Sequence, residues 1–93
     1  MNEPLAIEHF PERGRFEATV EGQACVCDYR LADGVMQLVH TGVPRALEGR
    51  GIAARLVAAA LAHARASGLK VLPVCSYVQA YMHRHPETLE LLA

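Results

Sequence analysis

Gly49 and Gly51, set between Glu48 and the run Ile52-Ala53-Ala54-Arg55-Leu56, place a side-chain-free turn directly before an alanine- and leucine-rich helix. Such a turn lets backbone approach a ligand closely. The helix start adds unpaired N–H groups and the positive end of the macrodipole, so the chemistry it suits is anion holding, and a pyrophosphate would fit. Elsewhere the reactive side chains are few. Cys75 stands just before Ser76, which begins Ser76-Tyr77-Val78-Gln79, a capping-box spacing, so a helix start would favour its thiolate. Tyr77 and Tyr81, four apart, share one helical face, and His40 lies near the end of an apolar run.

These residues need elements to hold them. Arg15 to Val20 and Gln23 to Leu31 suit two antiparallel strands joined by a tight turn at Glu21-Gly22, and Val35 to Val43 adds a third before Pro44 ends the pairing. Pro44 to Leu47 links this meander to the glycine turn. Ile52, Leu56, Ala59, Ala60, Leu61 and Ala64 recur at helical spacing, Ser67-Gly68 supplies the stop, and Leu69 to Val74 reads as a short buried strand. Ser76 caps a helix to about His85, Pro86 stops it, and Thr88 to Leu92 forms a last turn that returns its leucines to the body. The first dozen residues are expected to be loose.

The expected architecture is α/β: a mixed, mostly antiparallel sheet with a long helix after the third strand and a shorter C-terminal helix. At 93 residues, 52% hydrophobic and 20% charged, the whole chain, residues 1–93, fits one domain. A formal net charge of −1 argues against broad nucleic-acid binding, which needs many phosphate-neutralising cations. No apolar run reaches the roughly 20 residues that span a bilayer, and Met1-Asn2-Glu3-Pro4 lacks the basic start of a secretory signal. Three cysteines are an odd number and point to reduced thiols in a cytoplasmic protein, expected as a monomer or weak homodimer. Cys25-x-Cys27 and His83-x-His85 have poor spacing for zinc, so no metal is expected.

Five segments together resemble one family: His40-Thr41-Gly42-Val43-Pro44, Leu47-Glu48-Gly49-Arg50-Gly51-Ile52-Ala53, Gly68-Leu69-Lys70-Val71, Pro73-Val74-Cys75-Ser76-Tyr77-Val78 and Arg84-His85-Pro86-Glu87. They resemble the small single-domain members of the GCN5-related N-acetyltransferase superfamily, over roughly Phe16 to Glu87. The family turn, Gln/Arg-x-x-Gly-x-Gly/Ala, falls on Glu48, Gly51 and Ala53, with Glu48 as the departure. Backbone amides do most of the holding there, and Arg50 and Arg55 lie near enough to supply cations.

The resemblance implies acetyl-CoA or coenzyme A as ligand and an unidentified amine, on a small molecule or a protein, as acceptor. It implies that Thr41, Val43, Pro44, Glu48, Gly49, Arg50, Gly51, Ile52, Ala53, Arg55, Cys75, Ser76 and Tyr81 meet the donor. Pantetheine would lie in a splay between the strand ending at Val43 and that of Val71 to Val74, where a free backbone N–H would meet the oxyanion. Three residues are candidates for the chemistry: Cys75 as acetyl acceptor, Tyr77 as acid for the departing thiolate, and His40 as base for the amine. Each has a plain alternative, as a buried thiol, a core aromatic and a strand imidazole with its hydrogen bond met. The chain lacks the helices that usually follow the first strand and shape the acceptor pocket. Two rival readings therefore stand beside acyl transfer: a non-catalytic CoA-binding or protein-interaction module, and a structural domain whose turn binds nothing.

Overall fold

The computed structural model describes residues 5–93. Its sheet has five strands in chain order: β1 (Glu8–Phe10), β2 (Arg15–Val20), β3 (Gln23–Ala32), β4 (Val35–Gly42) and β5 (Lys70–Pro73). The first four run antiparallel and β5 joins β4 in parallel. A parallel neighbour requires a crossover, and the helix α1 (Ile52–Ala66) supplies it. A second helix, α2 (Ser76–Arg84), and a 3-10 turn at Pro86–Leu91 complete the chain.

Alternation decides the two faces of the sheet. Phe16 opposes Cys27, Ala18 opposes Cys25, and Tyr29 opposes Leu38, so all six point one way and all are buried. Over them lie Ile52, Leu56, Val57, Ala60, Leu61 and Ala64 of α1, a buried stripe at helical spacing. α2 packs against α1, β4 and β5 through Val78, Tyr81 and Met82. The opposite face carries Arg15, Glu17, Asp28 and His40, with Arg15 Nε donating to Asp28 at 2.7 Å.

Three expectations change, one of them the buried last strand: in β5 only Val71 is buried, while Lys70 and Leu72 are exposed. The N-terminal segment is not uniformly loose: Glu8–Phe10 pairs with Arg15–Glu17, because His9 gains a stacked contact with Phe16 at 4.1 Å. Residues 1–4 lie outside the described part. Gly14 makes the turn between β1 and β2, in the left-handed region at φ 63°, where an added Cβ would stand 2.4 Å from the Tyr29 carbonyl oxygen. Ser76 is not the cap of α2. Cys75, extended at φ −71° and ψ 130°, holds that position, and the Gln79 side-chain Nε2 donates instead to the carbonyls of Pro73 at 2.9 Å and Val74 at 3.4 Å.

One irregularity shapes everything downstream in β4. Asp28 opposes His40 whereas Tyr29 opposes Leu38, so Val39 is an extra residue, a β-bulge. Met36 and Leu38 face the helices before it, and Thr41, opposite buried Cys27, faces them after it.

Candidate functional site

The sequence Gly49-Arg50-Gly51 folds as a tight turn because both glycines take positive φ, 84° and 78°. Gly51 is the cap residue of α1 and has no side chain to satisfy the first amides of the helix. Arg55 N–H donates to the Gly51 carbonyl at 3.1 Å and closes the first intrahelical bond. The amides of Ile52, Ala53 and Ala54 precede that ladder, so an anion at this end meets N–H donors and a positive helix terminus together. The expectation of an anion cradle therefore rests on a 15-residue helix with no side-chain cap.

In front of the turn is a cavity of about 500 Å³, within the range of small-molecule sites. Its wall includes Glu48, Gly49, Gly51, Ile52 and Ala53 from the turn, Thr41 and Val43 from the end of β4 and just beyond it, and Tyr77 from α2. Gly42 and Leu47 also line it and escaped the sequence reading. Leu47, fully buried in a 3-10 turn (Arg45–Leu47), carried a signal as an apolar residue two positions before the first glycine. Gly42 carried none: its role depends on the His40 ring, whose Nε2 would be 3.0 Å from an added Cβ.

At the far end of the cavity the sheet opens. The β4–β5 ladder stops at Leu38 and Pro73, the Val74 and Cys75 amides both donate to the Leu38 carbonyl at 3.0 and 2.9 Å, and the chain departs into α2. Residues 39–42 continue without a β5 partner. Thr41 Oγ1 lies 3.9 Å from Cys75 Sγ, which places the thiol at the mouth of this gap.

The three thiols differ sharply. Burial pushes Cys27 up to about 12 and also raises Cys25, leaving both as inert core groups. Burial acts the same way on Cys75, but it is outweighed by the amides of Val78 and Tyr77 and by the hydroxyl and amide of Thr41, so this thiol is held below its usual range. Neither helix amide makes a full capping bond to the sulfur. Their aligned dipoles still favour the thiolate, as does the Thr41 hydroxyl.

The remaining residues scatter. His40 is exposed and on the sheet face opposite Thr41, with Asp28 directly across the strands. Pro44, Arg50, Arg55 and Ser76 border the turn or the gap in sequence without lining the cavity. Arg50 reaches Glu21 of the β2–β3 hairpin at 2.7 Å. Tyr81 is buried, stacks on His85 at 4.1 Å, and lines a separate hollow between α1 and the C-terminal turn. Burial first, then Glu87 and Tyr77, keep its phenol neutral, and the structure does not bring it to the cavity. Among the described residues no three His, Cys, Asp or Glu side chains converge as metal ligands, and no helix is long and apolar enough to cross a membrane.

Glu48 adds the one unfavourable charge in the wall, being exposed and beside the cradle. Like charges near 4 Å in water cost about 1 kcal/mol. Glu48→Gln is expected to tighten CoA binding by roughly two- to tenfold in a calorimetric titration at low salt, with the gain shrinking as salt rises. Unchanged affinity would mean that the anion sits elsewhere.

Comparisons with known proteins agree on this architecture. The model of the GCN5-related N-acetyl-transferase family matches residues 15–91. Protein NATD1 of Mus musculus is 34% identical over 86 residues, covering 89% of this chain and 78% of that protein. Protein NATD1 of Danio rerio is 32% identical over 91 residues, covering 92% and 83%. Among solved structures, a GCN5-like protein of Staphylococcus aureus superposes with a TM-score of 0.76 at 26% identity, over 96% of this chain and 88% of that one. A family match spanning β2 through the last turn, with the same fold, shows that the chain belongs to the GCN5-related N-acetyltransferase family.

Proposed function

We propose that this chain transfers an acetyl group from acetyl-CoA to an amine. The observation that carries the proposal is the uncapped start of α1, which opens into a cavity leading to Thr41 and Tyr77, where β4 and β5 part. The donor set fits: backbone amides of Ile52 and Ala53 for the pyrophosphate, Arg50 and Arg55 for added positive charge, and β4 beyond Val39 as a partner for the pantetheine amides. Thr41, Val43 and Pro44 border that path, and Cys75 and Ser76 meet its end. The Thr41 amide, facing the gap, is placed to meet charge that develops on the carbonyl oxygen.

In the reaction the amine nitrogen bonds to the acetyl carbon and the carbon–sulfur bond breaks. His40, on the outward face, accepts the amine proton, and the Tyr77 hydroxyl in the cavity wall protonates the departing thiolate. Positioning and oxyanion stabilisation supply most of the rate. Cys75 offers a second route, in which its thiolate takes the acetyl group first and the amine then takes it from sulfur.

A non-catalytic CoA-binding module is the competing reading, favoured by the outward sheet face with Arg15, Glu17, Asp28 and His40, none of which lines the cavity. Incubation with acetyl-CoA and a panel of amines, followed by titration of free thiol, separates the two. Acceptor-dependent release is the expected result. CoA-induced thermal stabilisation with no release under any acceptor would establish the module instead. Cys75→Ala resolves the route: transfer at the normal rate leaves direct attack, and loss of transfer with retained CoA binding supports the acetyl-cysteine.

A further inference from the structure

Far from the cavity, two imidazoles meet edge to face. His9 of β1 lies flat on Phe16 at 4.1 Å between ring centres, and His63 of α1 stands against it at 4.5 Å and 64°. Nε2 of His9 is hydrogen-bonded to the Tyr29 hydroxyl at 2.5 Å. His63 also borders Phe16 at 5.8 Å, and its own Nε2 is 3.5 Å from the Ser67 hydroxyl. No part of the proposed chemistry uses this cluster.

β1 is only three residues long and forms the edge of the sheet. A strand that short adds little pairing energy, so within β1 the His9 ring is the anchor to the body, beside Leu5 and Ile7 that pack on the core just before it. We propose that β1 is an acid-released clasp: protonation of His9 and His63 sets two cations in contact, detaches β1 from β2, and uncovers Phe16 and Tyr29 while the β2–β5 sheet and α1 stay folded.

The groups facing His9 determine the direction. Phe16 from β2 and Tyr29 from β3 bring no charge, and His63 from α1 brings a like charge once protonated. Glu12, from the 3-10 turn Pro11–Arg13, opposes release by attracting the His9 cation, but it is exposed and screened by water. Burial and then His63 outweigh Glu12 and hold His9 below the ordinary imidazole value of 6.5. The docked state thus favours neutral His9: the anchoring is complete at neutral and higher pH and is lost as pH falls through about 6.5 and below.

Hydrogen exchange followed by NMR at about pH 7.5 and about pH 5 tests the clasp, since each extra proton taken up on release is worth about tenfold per pH unit. Protection factors of the β1–β2 amides are expected to fall at least about tenfold, with those of Leu38 and Leu56 nearly constant. His9→Phe keeps the stack on Phe16 without a charge and should abolish the fall, and His63→Gln should move its midpoint to lower pH. Equal β1 protection at both pH values overturns the proposal, as does an undiminished fall in the His9→Phe chain. Simultaneous loss of β1 and core protection overturns it too, because that is global unfolding. If His9→Phe does not fold, an unmoved midpoint in His63→Gln is sufficient to reject the clasp.

Discussion

Gly51→Val is expected to abolish stabilisation by coenzyme A. At a ligand concentration one hundred times Kd the unaltered chain should gain about 2.7 kcal/mol, and for a domain of this size about 1 kcal/mol shifts Tm by roughly 4–8 °C, so a rise of ten degrees or more is expected. Gly51 has φ 78° and ψ 13°. A β-branched residue costs on the order of 1–2 kcal/mol or more there, and the helix start must shift to relieve it. Valine also puts a side chain on the cavity wall where backbone alone now lines it. Each variant is compared with its own ligand-free Tm, so the strain and the lost binding are read separately. A Gly51→Val chain with the full shift would remove the anion site from this turn.

Leu56→Ala is expected to cost 2–5 kcal/mol, a large part of the roughly 5–15 kcal/mol that holds a small domain together. Leu56 is 0% exposed on the face of α1 that covers the sheet. Its loss leaves a void that neighbouring Val57 and Ala60 cannot fill without moving α1 and, with it, the glycine turn that ends five residues earlier. Urea unfolding should show a lower midpoint with an unchanged slope. Leu72→Ala, at a position 45% exposed on β5, should move the midpoint far less. A cost under about 1 kcal/mol at Leu56 would contradict the packing described above.

Much of this protein can be read from its residues. The Arg15–Val20 strand matches end for end, the next two differ by a residue at one end, and α1 begins where the glycines stop. Local signals are strong there: Glu21-Gly22 and Asp33-Gly34 take the positive φ of tight turns, and Ser67-Gly68 closes α1 with Gly68 and Leu69 amides on the Arg65 and Ala64 carbonyls. What escaped depends on partners distant in sequence. β1 exists because His9 finds Phe16, Tyr29 and His63, and a three-residue run has no periodicity of its own. Cys75 takes the cap position from Ser76 because Leu38, thirty-seven residues earlier, holds the Val74 and Cys75 amides in an extended chain. The site followed the same division. The turn was legible as local chemistry, whereas Gly42 and the separation of Tyr81 from the cavity depend on how β4 and α2 pack.

The bulge at Val39 sets the parity of the end of β4. A strand without it would point His40 toward the helices, into the place that Thr41 now shares with Cys75, and would send Thr41 outward beside Asp28. The imidazole would then stand on the helix-covered face of the sheet and the hydroxyl on the opposite face, with composition almost unchanged. One unpaired residue thereby keeps the hydroxyl that meets the Cys75 thiol and the exposed imidazole on opposite surfaces, and β4 cannot shorten by one without exchanging them.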